Sequence, residues 1–177
     1  RFIRPLVRGE YNVFQLFTEP GAGSDLASLQ TRAAKDGDGY IIDGHKTFVG
    51  NAYDPEWFWL LGVTDPEAAR HHNLGAFFFP ADLPGVTVDT LDLMTTEVKR
   101  VVYLDNVRVS GEYLIGGEAD GWGVSQTTLE MEHGGGGGGV DLVRRIGQII
   151  EYAQNTSVSG QPLGKQPHVQ RALVDLY

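Results

Sequence analysis

The stretch YNVFQLFTEPGAGSD, residues 11–25, decides how the fold of this chain is interpreted. Its first half, residues 11–17, is rich in the apolar, aromatic and β-branched residues that are typical of a strand. A proline and two glycines follow it, with a spacing that differs from the G-x-G-x-x-G dinucleotide fingerprint. A strand-like segment comes next, where that fingerprint would require a helix. The stretch therefore predicts a strand and a polar loop in a β-rich domain.

The same loop has the residues of a ligand-binding turn. Glycine lets the backbone approach a ligand closely, and successive N–H groups can form a concavity that binds anions. Thr18 and Ser24 add two hydroxyl groups. The alternative is an ordinary hairpin turn, in which these hydroxyls make local hydrogen bonds only.

The rest of the chain changes character near residues 110–120. Before this point, short apolar runs alternate with Gly, Pro, Asp and Asn, which predicts strands and turns. The predicted strands are residues 11–17, 29–35, 39–43, 46–50, 57–63, 75–79, 86–90 and 99–104. Eight strands at this spacing indicate an antiparallel β-barrel or sandwich. The DGDG stretch at 36–39 and the Asp43-Gly44 pair predict hairpin turns.

Helical patterns follow the strands. Residues 123–133 and 140–154 are predicted helices, and 169–177 open another, with Pro167 in its first turn. The predicted fold class is α+β, with a β-barrel or sandwich domain over residues 1–115 and the first helices of an α-helical bundle over 116–177. Six glycines at 134–139 would cost a helix about 5–6 kcal/mol relative to alanine. They predict either compensating tight packing or a helix break.

Composition excludes several classes of function. The net charge of −9 disfavours a general nucleic-acid binder, and no apolar run has the length of a membrane span. The absence of cysteine excludes disulfides and thiolate metal sites. The five histidines are scattered and lack the spacing of metal ligands, so no metal site is predicted.

An ordered set of motifs covers nearly the whole chain. They are TEPGAGSD at 18–25, DGYIIDGHK at 38–46, TDP at 64–66, FPADLPGV at 79–86, YLDNVRV at 103–109, LIG at 114–116, GW at 121–122, YA at 152–153 and GQPL at 160–163. Together they resemble the acyl-CoA dehydrogenase family. The resemblance implies FAD as cofactor, and it implies a helical N-terminal domain and a larger C-terminal bundle outside this sequence.

The resemblance also implies which residues contact the flavin. Thr18 and nearby backbone N–H groups would bond its pyrimidine end, Ser24 would contact the pyrophosphate, and Phe48 would cover the ring as an aromatic wall. The implied cofactor-binding residues are Leu16, Phe17, Thr18, Gly23, Ser24, Phe48, Val49 and Gly50.

One position is a candidate catalytic base, and two others differ from the usual residues of the family. Residues 129–133, LEMEH, match a segment that holds the catalytic base in a minority of members, which makes Glu132 the candidate base. A solvated or structural carboxylate is the alternative. Gly50 stands where most members have a hydroxyl aimed at flavin N5, and Thr156 stands where many have an arginine that reaches a neighbouring subunit's FAD.

The resemblance implies oxidation of an acyl-CoA to the 2,3-enoyl-CoA. Electrons would pass to an electron-transfer flavoprotein or a similar acceptor, and the full-length protein would be a homo-oligomer. A cytoplasmic, bacterial-like location is expected, with the mitochondrial matrix left open. Two alternatives remain: a related flavin oxidase or monooxygenase, and a cofactor-free β-barrel that binds a ligand or partner.

Overall fold

The computed structural model describes residues 2–50, 53–95, 97–132 and 138–176. The chain divides into two compact units, Arg1–Gln126 and Thr127–Tyr177. The first unit is built on a sheet and the second on helices, so the predicted α+β class is confirmed. The assignment of residues 1–115 and 116–177 to two domains of the family stays a prediction.

The first unit begins with a short helix, α1 (Ile3–Val7), and continues as a sheet of eight strands. The strands are β1 (Val13–Leu16), β2 (Arg32–Asp36), β3 (Gly39–Val49), β4 (Trp57–Val63), β5 (Leu74–Pro80), β6 (Val86–Leu91), β7 (Lys99–Ser110) and β8 (Leu114–Ile115). Their order across the sheet is β6-β7-β3-β2-β4-β5-β8, and β1 also pairs with β4.

The sheet is mixed. Most neighbouring strands are antiparallel, as predicted, but β1 and β2 both run parallel to β4. Leu16 pairs with Leu60, and Arg32 pairs with Val63, so residues 17–31 leave one edge of β4 and rejoin it only three positions further along. Alternation of apolar residues specifies the faces of a strand but carries no information about its direction, which is why these two parallel pairings were not predicted.

The core of this unit lies on the face to which six strands, β1 to β5 and β7, contribute side chains. Phe14 and Leu16 of β1 contribute, and the large side chains of β4 and β5 join them at zero exposure. These are Phe58, Leu60, Phe77 and Phe79. Burial of these aromatic and aliphatic side chains supplies the main driving force for the sheet.

One predicted hairpin turn is confirmed and the other is wrong. Asp36 and Gly39 pair across a two-residue turn between β2 and β3, and Gly37 takes a φ of +62° there. Asp43 and Gly44 instead lie inside β3, at a register shift against β7. A Cβ on Gly44 would lie 2.5 Å from the Thr31 hydroxyl oxygen, so this glycine permits a close approach within a continuous strand.

The helices lie where the sequence places them, with ends that differ by a few residues. They are α2 (Gly121–Glu132), α3 (Gly138–Asn155) and α4 (Pro167–Leu176). A two-stranded hairpin, β9 (Ser157–Val158) and β10 (Gln161–Pro162), separates α3 from α4. Gly138 and Gly139 start α3, whereas residues 133–137 lie outside the described part of the chain. The expected effect of the glycine run stays a prediction.

Candidate functional site

The structure brings the two predicted flavin segments together. The loop that follows β1 lies against the end of β3, where the Thr47 amide donates a hydrogen bond of 2.9 Å to the Thr18 carbonyl. Thr18 is half-buried, and Phe48 is the next residue after its partner. Two segments about 30 positions apart in sequence are therefore in direct contact.

A buried ion pair lies directly beneath this contact. The Lys46 ammonium is 2.8 Å from Glu19 Oε1, and the side chains of Lys46 and Glu19 are 0% and 6% exposed. Lys46 Nζ also donates to the carbonyls of Phe17, at 3.2 Å, and Leu61, at 2.9 Å. The Glu19 carboxylate accepts from the amides of Gln30, at 2.6 Å, and Thr31, at 2.9 Å.

Burial and pairing act in opposite directions on these two groups. Burial lowers the pKa of Lys46 to about 8, against the charge and hydrogen bond of Glu19, which favour the protonated amine. Burial opposes ionisation of Glu19, but the charge of Lys46 and the hydrogen bonds around the carboxylate hold the pKa of Glu19 below its ordinary value. The pair is therefore ionised at neutral pH.

Sequence reasoning missed this pair. Both residues were quoted within motifs, yet they are 27 positions apart and neither was given a role. The available signal was a single charge in each of two apolar segments, Glu19 after residues 16–18 and Lys46 before residues 47–49. A charge so placed is rarely buried without a partner of opposite sign.

The end of β3 is unusual in its backbone. Phe48 has a φ of +56°, and 58% of its surface is exposed. Gly50 has a φ of +64°, and a Cβ there would lie 2.4 Å from the ring of Phe14. Left-handed backbone at a non-glycine residue is uncommon and is concentrated at functional sites. The Phe14 ring fills the space in which a larger residue at position 50 would place its side chain.

The other predicted cofactor residues divide into two groups. Leu16, Phe17 and Val49 are buried in the β-unit, at 0%, 4% and 3% exposure. Gly23 and Ser24 are exposed on the loop. The loop is anchored beyond them by Asp25, which accepts hydrogen bonds from the Ser28 hydroxyl and the Arg70 guanidinium. Sequence reasoning did not assign a role to Asp25 or Arg70.

An apolar groove of about 680 Å³ runs along the outer face of the β-unit. It is lined mainly by side chains of α1, β1, β4 and β5, including Leu6, Val13, Trp59 and Phe78. Val13 and Gln15 reach it because they alternate with the core residues Phe14 and Leu16 along β1.

Two further residues singled out in the sequence, the candidate base Glu132 and Thr156, lie in the helical unit. Glu132 is exposed and is the last residue of α2. Thr156 follows α3, where its amide donates to the Tyr152 carbonyl. The roles assigned to Glu132 and to position 156 stay predictions.

Two absences hold for the part of the chain that the structure describes. No helix among residues 2–50, 53–95, 97–132 and 138–176 is long and apolar enough to cross a membrane. Within the same ranges, no three His, Asp or Glu side chains form a group that could hold a metal ion.

Comparisons with known proteins agree with these motifs. Residues 15–106 match the family model described as acyl-CoA dehydrogenase, middle domain. Acyl-CoA dehydrogenase FadE34 of Mycobacterium tuberculosis is 39% identical over 75% of this chain and 19% of its own length. The (R)-benzylsuccinyl-CoA dehydrogenase of Thauera aromatica is 34% identical over 99% of this chain and 44% of its own length.

Solved structures extend the likeness to the fold. A variant of the Tcur3481-Tcur3483 steroid ACAD superposes with a TM-score of 0.76 and 32% identity, covering 98% of this chain and 45% of that one. Butyryl-CoA dehydrogenase from Megasphaera elsdenii superposes with a TM-score of 0.72 and 27% identity, covering 99% of this chain and 47% of that one. This chain thus spans less than half the length of these relatives. It belongs to the acyl-CoA dehydrogenase family, whose members are FAD oxidoreductases.

Proposed function

We propose that the whole protein is an FAD-dependent acyl-CoA dehydrogenase. It converts an acyl-CoA thioester into the 2,3-enoyl-CoA and passes the electrons to an electron-transfer flavoprotein or a similar acceptor. The observation that carries this proposal is the contact between the two flavin-type segments, in which Thr18 is hydrogen-bonded to Thr47 next to the exposed ring of Phe48. Membership of the family supports it.

The residues of the site fit a flavin. Phe48 offers an exposed aromatic ring, and Thr18 and Ser24 carry hydroxyl groups on the loop that contacts the end of β3. Gly23 and Gly50 would contribute backbone atoms, and the buried residues Leu16, Phe17 and Val49 would support them from the core. Bound FAD would accept the β-hydride of the substrate, and donors at its pyrimidine end favour the negative charge that develops there.

The proton on the substrate α-carbon requires a base. Glu132 is the candidate in this chain, because a carboxylate that is shielded from water in a substrate complex has the basicity that this proton transfer needs.

Glu132→Gln keeps the shape of the side chain and removes the base. If Glu132 is the base, reduction of the flavin by acyl-CoA slows by about a hundredfold or more while substrate still binds.

Relatives indicate the kinds of partner. One solved neighbour is the ChsE4-ChsE5 complex from Mycobacterium tuberculosis, and another is described as an electron transferring flavoprotein of Acidaminococcus fermentans. We propose an oligomer that acts in the cytoplasm of a bacterial cell. A homo-oligomer is the expected form, and a complex of two different chains is the alternative that the first neighbour supports.

Two other functions have specific support. The prolyl acyl carrier protein oxidase AnaB superposes with a TM-score of 0.73 and 31% identity, which favours a flavin oxidase as the second candidate. A cofactor-free binding module is the third, because Gly50 lacks the usual hydroxyl and Thr156 replaces an arginine. Flavin content separates the third function from the first two, and the electron acceptor separates the first from the second.

The experiment is a titration of the whole protein with FAD, followed by anaerobic addition of an acyl-CoA panel. Thr18→Val together with Ser24→Ala removes two hydroxyls, each worth about 1–3 kcal/mol, so FAD affinity falls at least about tenfold. Thr87→Val makes the same threonine change at an exposed position of β6 and serves as the matched control.

The outcomes discriminate among the three functions. Flavin bleaching by an acyl-CoA, with reoxidation by an artificial dye and slow reaction with oxygen, supports the dehydrogenase. Fast reoxidation by oxygen supports the oxidase. A whole protein that binds no FAD contradicts both and leaves the binding module.

A further inference from the structure

The ion pair of Glu19 and Lys46 ties together both ends of the segment that leaves the sheet between β1 and β2. At its start, Lys46 Nζ holds the Phe17 carbonyl at 3.2 Å. At its end, the Glu19 carboxylate accepts from the amides of Gln30 and Thr31. One buried pair therefore fixes where residues 17–31 depart from β4 and where they return.

Thr18 is the residue that this arrangement constrains most. Lys46 binds the residues on both sides of it, through the Phe17 carbonyl and the Glu19 carboxylate. The Thr18 carbonyl itself accepts from the Thr47 amide, which immediately follows Lys46. With both neighbours and its own carbonyl held, the backbone position of Thr18 is set by β3.

The pair is also anchored to a second strand. Lys46 Nζ donates to the Leu61 carbonyl of β4 at 2.9 Å, so the three named acceptors account for the three donors of an ammonium group. Complete satisfaction of this kind fixes the position of the nitrogen rather than leaving it mobile in a cavity.

Stability alone does not explain such a pair. Desolvation of two buried charges offsets most of their attraction, and well-packed apolar side chains in their place are often as stable or more so. What apolar side chains cannot reproduce is the directional hold on the Phe17 carbonyl and on the Gln30 and Thr31 amides.

We propose that Glu19 and Lys46 are positioning residues for the cofactor: they hold Thr18 and the adjoining loop amides in the geometry that binds the flavin. This inference rests on the proposed function, since it concerns the same site. Glu19 and Lys46 do not touch the flavin in this proposal. They act through the backbone of residues 17–19 and through the loop that continues to Ser24.

The test uses the whole protein with Glu19→Gln and Lys46→Met combined. This pair of changes removes both charges, keeps the side-chain volumes close to native, and leaves a glutamine oxygen to accept from the Gln30 and Thr31 amides. The control is Val107→Ala, which truncates a fully buried side chain of β7 in the same core. It lowers stability without touching the pair.

Three measurements are compared at a temperature where all variants are folded. They are FAD affinity by fluorescence titration, the visible absorbance spectrum of the bound flavin, and amide hydrogen exchange. The amides of Glu19, Ala22 and Thr47 report on the loop, because each donates a backbone hydrogen bond within it or to it.

In the double variant we expect at least about tenfold weaker FAD binding, a shifted flavin spectrum, and faster exchange at the three loop amides. Val107→Ala leaves all three unchanged. Native FAD affinity with native loop exchange in the double variant would overturn the inference. So would an equal loss of affinity in Val107→Ala, because affinity would then follow stability. An unaltered protein that binds no FAD would instead overturn the proposed function and this inference with it.

Discussion

The two units of the chain differ in how they cover their apolar side chains. The β-unit has a continuous core in which Phe14, Phe58, Phe77 and Phe79 are completely buried. In α4 of the helical unit no residue is buried, and Val174 and Leu176 are 74% and 56% exposed. The β-unit therefore buries its own apolar side chains, whereas α4 leaves large apolar side chains exposed on its surface.

The largest loss of stability is expected from removing one partner of the buried ion pair in the β-unit. Lys46→Met alone leaves the Glu19 carboxylate buried without its cation, which costs about 3–5 kcal/mol of unfolding free energy. The matched control is Lys35→Met, because Lys35 also pairs with a carboxylate at 2.6 Å, that of Glu118, but both side chains are about half exposed or more. Urea denaturation should show a loss below about 1 kcal/mol for the control. Equal losses would contradict the distinction between the two pairs.

A direct comparison of the two units uses one truncation in each. Phe79→Ala removes a fully buried ring and should destabilise the protein by about 3–5 kcal/mol. Val174→Ala removes an exposed side chain of α4 and should change stability by less than about 0.5 kcal/mol in the isolated chain. Thermal denaturation at low protein concentration measures both. A large loss for Val174→Ala would show that α4 is already covered in that chain.

The next prediction concerns Gly50, at the end of β3, where the Phe14 ring restricts the size of the residue. Gly50→Ala requires a Cβ at 2.4 Å from the Phe14 ring on a backbone with a φ of +64°, so it should destabilise by about 1–3 kcal/mol. Adding Phe14→Leu should relieve the steric part of this loss. Gly23→Ala is the control, since a Cβ there meets no atom within 4 Å. If Gly50→Ala is as harmless as Gly23→Ala, the Phe14 ring does not set the residue at position 50.

The buried amine also makes stability depend on pH. Because burial lowers the pKa of Lys46 from 10.5 to about 8, the native chain releases this proton at a lower pH than the unfolded chain does. The unfolded state then binds more protons between pH 8 and 10.5, so the contribution of Lys46 to unfolding free energy rises with pH there, by about 1 kcal/mol from pH 8 to 9. Urea denaturation across this range measures it. The rise should vanish in Glu19→Gln with Lys46→Met.

The smallest change in stability is expected from substitutions in α4 of the helical unit. Their effect should appear in self-association instead. A chain of residues 1–177 should self-associate through the exposed apolar side chains of α4, and Val174→Lys with Leu176→Lys should shift it towards monomer while changing stability by less than about 0.5 kcal/mol. Light scattering over a range of concentrations measures this. Glu151→Lys changes charge at an exposed position of α3 and is the control. A monomer at all concentrations before mutation would contradict the prediction.

Local patterns in the sequence predicted most of the secondary structure. The strand at 57–63 and the two-residue turn after Asp36 were predicted because periodicity and turn chemistry act over a few neighbouring residues. Asp43-Gly44 misled the prediction, because the same dipeptide serves in a turn or, as here, at a bulge inside a strand. The choice depends on Thr31, which lies 13 residues earlier and packs against Gly44.

The sequence by itself determined the β-then-α order of the chain and its family, and it predicted the two segments that would contact a flavin. Those properties depend on the identities and spacing of nearby residues. Only the tertiary structure decided that β1 and β2 run parallel to β4, that Glu19 and Lys46 meet 27 positions apart, and that the Phe14 ring closes the space at Gly50. The physical reason is that strand direction, charge pairing and steric exclusion arise between segments that come together only when the core forms.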